Sequence, residues 1–131
     1  AIATSGPGGM NLVTSAGNCF YDSVPCLFMT GQIKTKYMRP DDSIRQIGFQ
    51  EADMVGVFKS VTKYSKLVEN AEDIRYELEK AIYIAKSGRP GPVHLDLPMT
   101  ELEFNNQQGN ETEHGHTPIQ LFGMAMEAIT G

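Results

Sequence analysis

Cysteine is scarce in this chain of 131 residues: Cys19 and Cys26 are the only two. They are too few for a disulfide scaffold and fit no zinc spacing. Both read as buried free thiols of a reducing compartment, which makes a cytoplasmic protein the expectation. Long apolar runs are missing too. The longest, Val24 to Met29, spans six residues and includes Pro25, where a membrane helix needs roughly 20. No membrane span is expected, and the N-terminus shows neither the charged leader nor the apolar stretch of a signal peptide. It also lacks an initiator Met, so the start reads as cut. A basic excess is absent as well. Eleven Lys and Arg stand against sixteen Asp and Glu, a net charge of −5. All the basic residues precede residue 99, and the acidic excess falls after residue 98. Nucleic acid is therefore not an expected partner.

What is present is ordinary globular composition, 40% hydrophobic and 21% charged, in a length that suits one domain or one domain with a tail. Such a chain buries roughly two thirds of its unfolded surface, enough for a core without staples. Ala1 to Ala3 read as the end of a strand, followed by the turn Ser5-Gly6-Pro7-Gly8-Gly9. A helix is expected over 10–21, with Leu12, Ser15, Ala16, Cys19 and Phe20 on one face. Pro25 to Thr30 form an apolar run closed by Gly31, the pattern of a strand buried on both faces of a parallel sheet. Residues 32–47 are polar, with a turn at Pro40-Asp41-Asp42, and read as a long loop; loops of that length are more often functional than idle. A short helix is expected over 50–58 and a short strand over 61–64.

The clearest element is the next helix. Asn70 suits an N-cap, and apolar residues recur at Ile74, Leu78, Ala81, Ile82 and Ala85 before Gly88 stops the helix. Glu72, Glu79, Lys80 and Lys86 take its other face. After Arg89-Pro90-Gly91-Pro92, a second buried strand is expected over 93–97. The alternation argues for an α/β fold, a three-layer parallel sheet flanked by helices. Sites in such sheets lie at the carboxyl ends of strands. Three segments fall there: 4–11, 30–50 and 98 onward. Residues 1–100 read as one domain, 101–117 as a polar linker rich in Asn, Gln, Glu and His, and 118–131 as a helix of a following unit.

The glycine-rich turn needs weighing, because such turns often cradle phosphate at a helix N-terminus. It is no dinucleotide fingerprint, since position 11 is Asn, and no P-loop, since no Gly-Lys-Ser/Thr follows. A plain strand-to-helix turn is an equal reading. No Gly-x-Ser-x-Gly elbow offers a serine nucleophile. His114 and His116 stand in a polar tract without a third ligand, His94 reads as a satisfied core or edge histidine, and the carboxylate pairs Asp41-Asp42 and Glu72-Asp73 suit a turn and a helix start. No metal site is expected.

The run Ala3-Thr4-Ser5-Gly6-Pro7-Gly8-Gly9-Met10-Asn11-Leu12, then Asp22-Ser23-Val24-Pro25 and Thr30-Gly31-Gln32, resembles the pyrimidine-binding domain of thiamine diphosphate enzymes of the acetolactate synthase type. Gly48-Phe49-Gln50-Glu51-Ala52-Asp53, Val61-Thr62-Lys63 and Gly88-Arg89-Pro90-Gly91-Pro92-Val93 continue it in the family's order. The loop 34–46 is less typical of the biosynthetic synthase.

The resemblance implies a three-domain enzyme in which this domain, with the thiamine diphosphate-binding fold truncated at its N-terminus, holds the aminopyrimidine ring. A later domain on another subunit would hold the diphosphate through Mg2+, in a homodimer or homotetramer with its active site between subunits. Flavin (FAD) is left open. The substrate class is 2-keto acids such as pyruvate, decarboxylated on the cofactor, with the two-carbon unit passed to a second keto acid. Gly6, Pro7, Gly8 and Asn11 would lie by the cofactor and Phe49 and Gln50 on the substrate side. The family's catalytic glutamate belongs upstream of the Ser-Gly-Pro-Gly motif, so the chain is expected to be a fragment, inactive alone; Glu51 is no substitute and is expected to start a helix. The alternatives are a related enzyme of sugar or polysaccharide biosynthesis, and a stand-alone, non-catalytic α/β binding module.

Overall fold

Short, mostly apolar segments form four strands among the described residues, all parallel. In the computed structural model, which describes residues 1–99, these are β1 (Ile2–Ala3), β2 (Leu27–Gln32), β3 (Tyr64–Leu67) and β4 (Val93–Pro98), in the order β1-β2-β4-β3. Thr30 stands opposite Asp96 and Met29 opposite Leu95 across the central pair, and Ser65 lies opposite His94 on the other side of β4. Helices cover both faces, giving the expected three layers. The expected linker over 101–117 and the helix over 118–131 lie outside the described residues.

Strand alternation sorts β4 into two environments. Val93, Leu95 and Leu97 face α4 (Ile74–Lys86) and join Met29, Val68, Leu78, Ala81 and Ala85 in one core. The opposite face of the sheet receives α2 (Val13–Tyr21) and α3 (Met54–Phe58) through Ala16, Phe28, Met54 and Phe58. Every residue of β4 is buried, including His94 and Asp96. No helix of the described residues is long and apolar enough to cross a membrane.

Several boundaries move from expectation. The helix expected over 10–21 divides into α1 (Pro7–Met10), made from the glycine turn itself, and α2. Proline at the first helical position has no N–H to leave unpaired, so the turn is helical three residues earlier than the apolar pattern suggests. Ser15 is exposed rather than on the buried face. Strand β2 begins two residues later than expected and continues to Gln32, whose polar side chain is buried. Strand β3 begins where the expected 61–64 strand was to end, because Val61 and Thr62 still bond back to the carbonyl of Phe58. Both cysteines are free, as expected, but half-buried rather than buried.

Helix α4 is preceded by a 3-10 turn, Ala71–Asp73, and Asn70 is not its side-chain cap: the Asn70 amide donates to Asp73 Oδ2 at 3.1 Å. At its other end Gly88, at φ +56°, follows the last turn as expected. Lys63 supplies what periodicity does not show. Its ammonium donates to the carbonyls of Ile84 at 2.5 Å and Ser87 at 2.6 Å, neutralising the negative end of α4.

Candidate functional site

The carboxyl ends of β1 and β2 open onto two segments, the glycine turn and the stretch 33–53, and these meet. Gly6 adopts φ +56°, a left-handed conformation that costs glycine little. A Cβ built on it would stand 2.5 Å from the carbonyl oxygen of Gln50 and 3.1 Å from Gln50 Cβ. The close approach made possible by Gly6 is therefore toward Gln50. Gln50 is itself left-handed, at φ +63°, a strained state for a non-glycine residue that concentrates at functional sites. At Gly8 a Cβ would meet the Thr4 methyl at 2.6 Å, so its smallness serves the fold of the turn.

Around this contact the side chains of Pro7 and Asn11 are exposed and Gln50 is half-buried. The Asn11 side chain caps no helix N-terminus; its backbone N–H donates to the Pro7 carbonyl at 3.3 Å and closes α1. Phe49 is 85% exposed, which removes plain core packing as its explanation. The six residues marked out by sequence, Gly6, Pro7, Gly8, Asn11, Phe49 and Gln50, thus lie on two segments joined at Gly6 and Gln50.

Two buried groups hold the second segment; both stand in motifs that carry the resemblance, but neither is among the expected site residues. Gln32, at the end of β2, donates from Nε2 to the Ala52 carbonyl at 2.6 Å and to Asp96 Oδ2 at 3.1 Å, while its Oε1 accepts from Ile33 N at 3.0 Å. Glu51 was expected to start a helix, but the helix begins at Met54, with Asp53 as its cap accepting from Gly56 N. The Glu51 carboxylate instead accepts from Arg39 N at 2.5 Å, Ile47 N at 2.8 Å and Gly48 N at 3.3 Å. Burial pushes this carboxyl up, but the three amide donors and the Arg39 charge outweigh it and hold it below the ordinary carboxylate value. A buried anion inside a loop is the organising centre of residues 39–51.

The remaining motifs are joined as well. Arg89 donates to Ser23 Oγ at 2.7 Å and to the Tyr21 carbonyl at 3.1 Å, tying the turn before β4 to the turn before β2. Ser23 sits at φ +59° under this clamp. The Thr30-Gly31-Gln32 segment reaches the Phe-Gln-Glu-Ala segment through Gln32, and the glycine turn reaches it through Gly6. Among the described residues no group of three or more His, Cys, Asp or Glu is placed to hold a metal ion.

Comparison with known proteins gives a consistent neighbourhood. The chain is 44% identical over 106 residues to the acetolactate synthase isozyme 3 large subunit of Escherichia coli, a match covering 81% of this chain and 17% of that protein. It is 42% identical over 97 residues to the mitochondrial acetolactate synthase catalytic subunit of Saccharomyces cerevisiae, covering 74% of this chain and 13% of that protein. To the chloroplastic acetolactate synthase of Arabidopsis thaliana it is 44% identical over 97 residues, 74% of this chain and 14% of that one. The matches thus span between about an eighth and about a sixth of these relatives' length. No family model matches the chain.

Proposed function

We propose that this chain belongs to the acetolactate synthase large-subunit family and that residues 1–100 are its pyrimidine-binding domain, working inside a larger thiamine diphosphate enzyme. The contact between Gly6 and Gln50 carries the reading: it joins a cofactor-side turn to a substrate-side turn at the carboxyl ends of parallel strands. Similarity to bacterial, fungal and plant acetolactate synthases supports it. The complete protein would act on a 2-keto acid such as pyruvate as an oligomer, with Mg2+ and the diphosphate held by a domain beyond this one.

The residues at the turn suit one side of an aminopyrimidine. Pro7 and Asn11 are exposed there, an apolar ring and an amide able both to donate and to accept hydrogen bonds. Bound thiamine diphosphate supplies a cationic ring that takes up the electrons left behind when carbon dioxide departs from a keto acid. This chain's own part is to position. Pro7 and Asn11 orient the pyrimidine, exposed Phe49 gives the substrate side an apolar wall that keeps water away, and Gln50 presents an amide to the keto acid. Glu51 and Gln32 fix the backbone on either side of Phe49 and Gln50, at Ile47, Gly48 and Ala52.

The test is steady-state kinetics of the complete protein that carries these residues. Asn11→Ala is expected to raise the thiamine diphosphate concentration needed for half-maximal activity. Gln50→Ala is expected to lower turnover with little change in that concentration. Parent-like values for both variants would remove these residues from the site.

A further inference from the structure

Beneath α3 a line of polar side chains crosses the buried face of the sheet, separate from the exposed residues of the proposed site. Asp96 Oδ1 lies 2.6 Å from Thr30 Oγ1, Thr30 Oγ1 lies 2.8 Å from His94 Nε2, and His94 Nδ1 lies 2.8 Å from Ser65 Oγ. Ser65 Oγ is also 3.3 Å from the Val55 carbonyl. Thr30, His94 and Asp96 are each at most 1% exposed, and Phe58 stacks on the imidazole with ring centroids 4.0 Å apart. No water has ready access to the middle of this line, so its hydrogen bonds must be satisfied internally.

With Asp96 Oδ2 kept as an acceptor by the Gln32 amide, counting protons leaves two arrangements. Each hydroxyl has one proton to give, and a neutral imidazole donates from one nitrogen and accepts at the other. With Asp96 ionised it can only accept, so Thr30 donates to Asp96, His94 donates from Nε2 to Thr30, and Ser65 donates to a bare Nδ1. With Asp96 neutral and its proton on Oδ1, every donor turns round. Asp96 donates to Thr30, Thr30 to a bare Nε2, His94 from Nδ1 to Ser65, and Ser65 to the Val55 carbonyl. The second arrangement uses the 3.3 Å contact that the first leaves without a proton.

We propose that Asp96, Thr30, His94 and Ser65 form a proton relay in which uptake of one proton by the line switches His94 from its Nε2–H to its Nδ1–H tautomer. The step balances. A proton from water replaces the one Ser65 gives to Nδ1, the Nε2 proton passes to Thr30, and the Thr30 proton passes to Asp96. Three hydrogen bonds reverse, the imidazole stays neutral throughout, and the line changes from one negative charge to none.

The surroundings favour this over an imidazolium. His94 is met by Thr30 from β2, Ser65 from β3 and Phe58 from α3, none charged, and burial lowers it to about 4. Burial raises Asp96 to about 7; hydrogen bonds from Thr30 and Gln32 oppose this, and the Asp53 charge at the head of α3 adds to it. From β3, Leu67 stands beside Asp96 in register and brings no charge. The carboxyl therefore takes the proton while the imidazole carries it.

Nitrogen-15 NMR of the complete protein labelled at histidine tests this, with His94 assigned against His94→Gln. Between about pH 5.5 and about pH 8.5, the two ring nitrogens should exchange protonated-type and bare-type shifts, with a midpoint near 7. Asp96→Asn, whose amide donates to Thr30 at every pH, should hold the Nδ1–H form throughout. Thr30→Val should make the tautomer independent of pH. A single tautomer across the range in the parent, or an imidazolium at the acid end, overturns the relay whether or not the variants fold.

Discussion

The carbonyl oxygen of Gln50 occupies the place where a side chain on Gly6 would begin: a Cβ there would lie only 2.5 Å from it. Gly6→Ala must therefore either displace the Phe49-Gln50 turn or abandon its own φ of +56°. The strained backbone alone costs about 1–3 kcal/mol, and the overlap adds to it. Denaturant titration should show a loss of at least that size, and the complete protein should lose turnover further than its stability loss explains. A variant with parent stability and turnover would mean that the two segments do not depend on this contact.

Glu51→Gln tests the loop's organising centre. An amide can accept at one oxygen only, so at least one of the part-buried N–H groups of Arg39, Ile47 and Gly48 loses its partner, at a cost of about 1 kcal/mol. Hydrogen exchange should quicken in residues 39–51 and stay unchanged in β4. Uniform acceleration across the sheet would mark Glu51 as a general stabiliser instead.

The pH dependence of stability follows from two opposed groups. Asp96 is raised from 3.8 to about 7 in the folded chain, so its contribution is complete below about pH 4 and is lost as pH rises to about 7. His94 is lowered from 6.5 to about 4, so its contribution is complete above about pH 6.5 and is lost as pH falls toward 4. The first is on the order of 4 kcal/mol and the second on the order of 3 kcal/mol, and between about pH 4 and 6.5 their slopes oppose one another. Thermal melts of His94→Gln should show stability falling with rising pH in that window, and Asp96→Asn should show it rising. Parallel slopes in the two variants would contradict the assignment.

Phe49→Ala separates function from folding. At 85% exposure the ring buries little, so stability should change by no more than about 0.5 kcal/mol. The Michaelis constant for the keto acid should rise several-fold in the complete protein. Phe58→Ala is the counterpart: it empties the core between α3 and the sheet and should cost about 3–5 kcal/mol. An equal stability loss in both would place Phe49 in the core after all.

The layers and the parallel sheet were legible because the buried strands read as short apolar runs and α4 carries a clean helical period from Ile74 to Ala85. The glycine turn and the Phe49-Gln50 segment were legible as motifs, but their contact was not, since it depends on a left-handed Gln50 that no sequence pattern announces. Glu51 looked like the start of a helix because the pattern over 50–58 reads as one; its real partners are amides up to twelve residues upstream. His94 was legible as a satisfied histidine of the core or the sheet edge; it lies in the core, with both nitrogens bonded. Asp96 and Glu77 escaped notice because burial of a carboxylate is set by neighbours from other elements: Thr30 and Gln32 for Asp96, Tyr64 and Lys80 for Glu77.

Whether these residues serve a thiamine diphosphate enzyme acting on 2-keto acids is decided by supplying pyruvate to the complete protein, stripped of cofactor and then given thiamine diphosphate and Mg2+. Carbon dioxide release and acetolactate formation are expected, both dependent on the added cofactor and both lowered by Gln50→Ala. Pyruvate left unconsumed, with no thiamine diphosphate bound at equilibrium dialysis, would contradict that role.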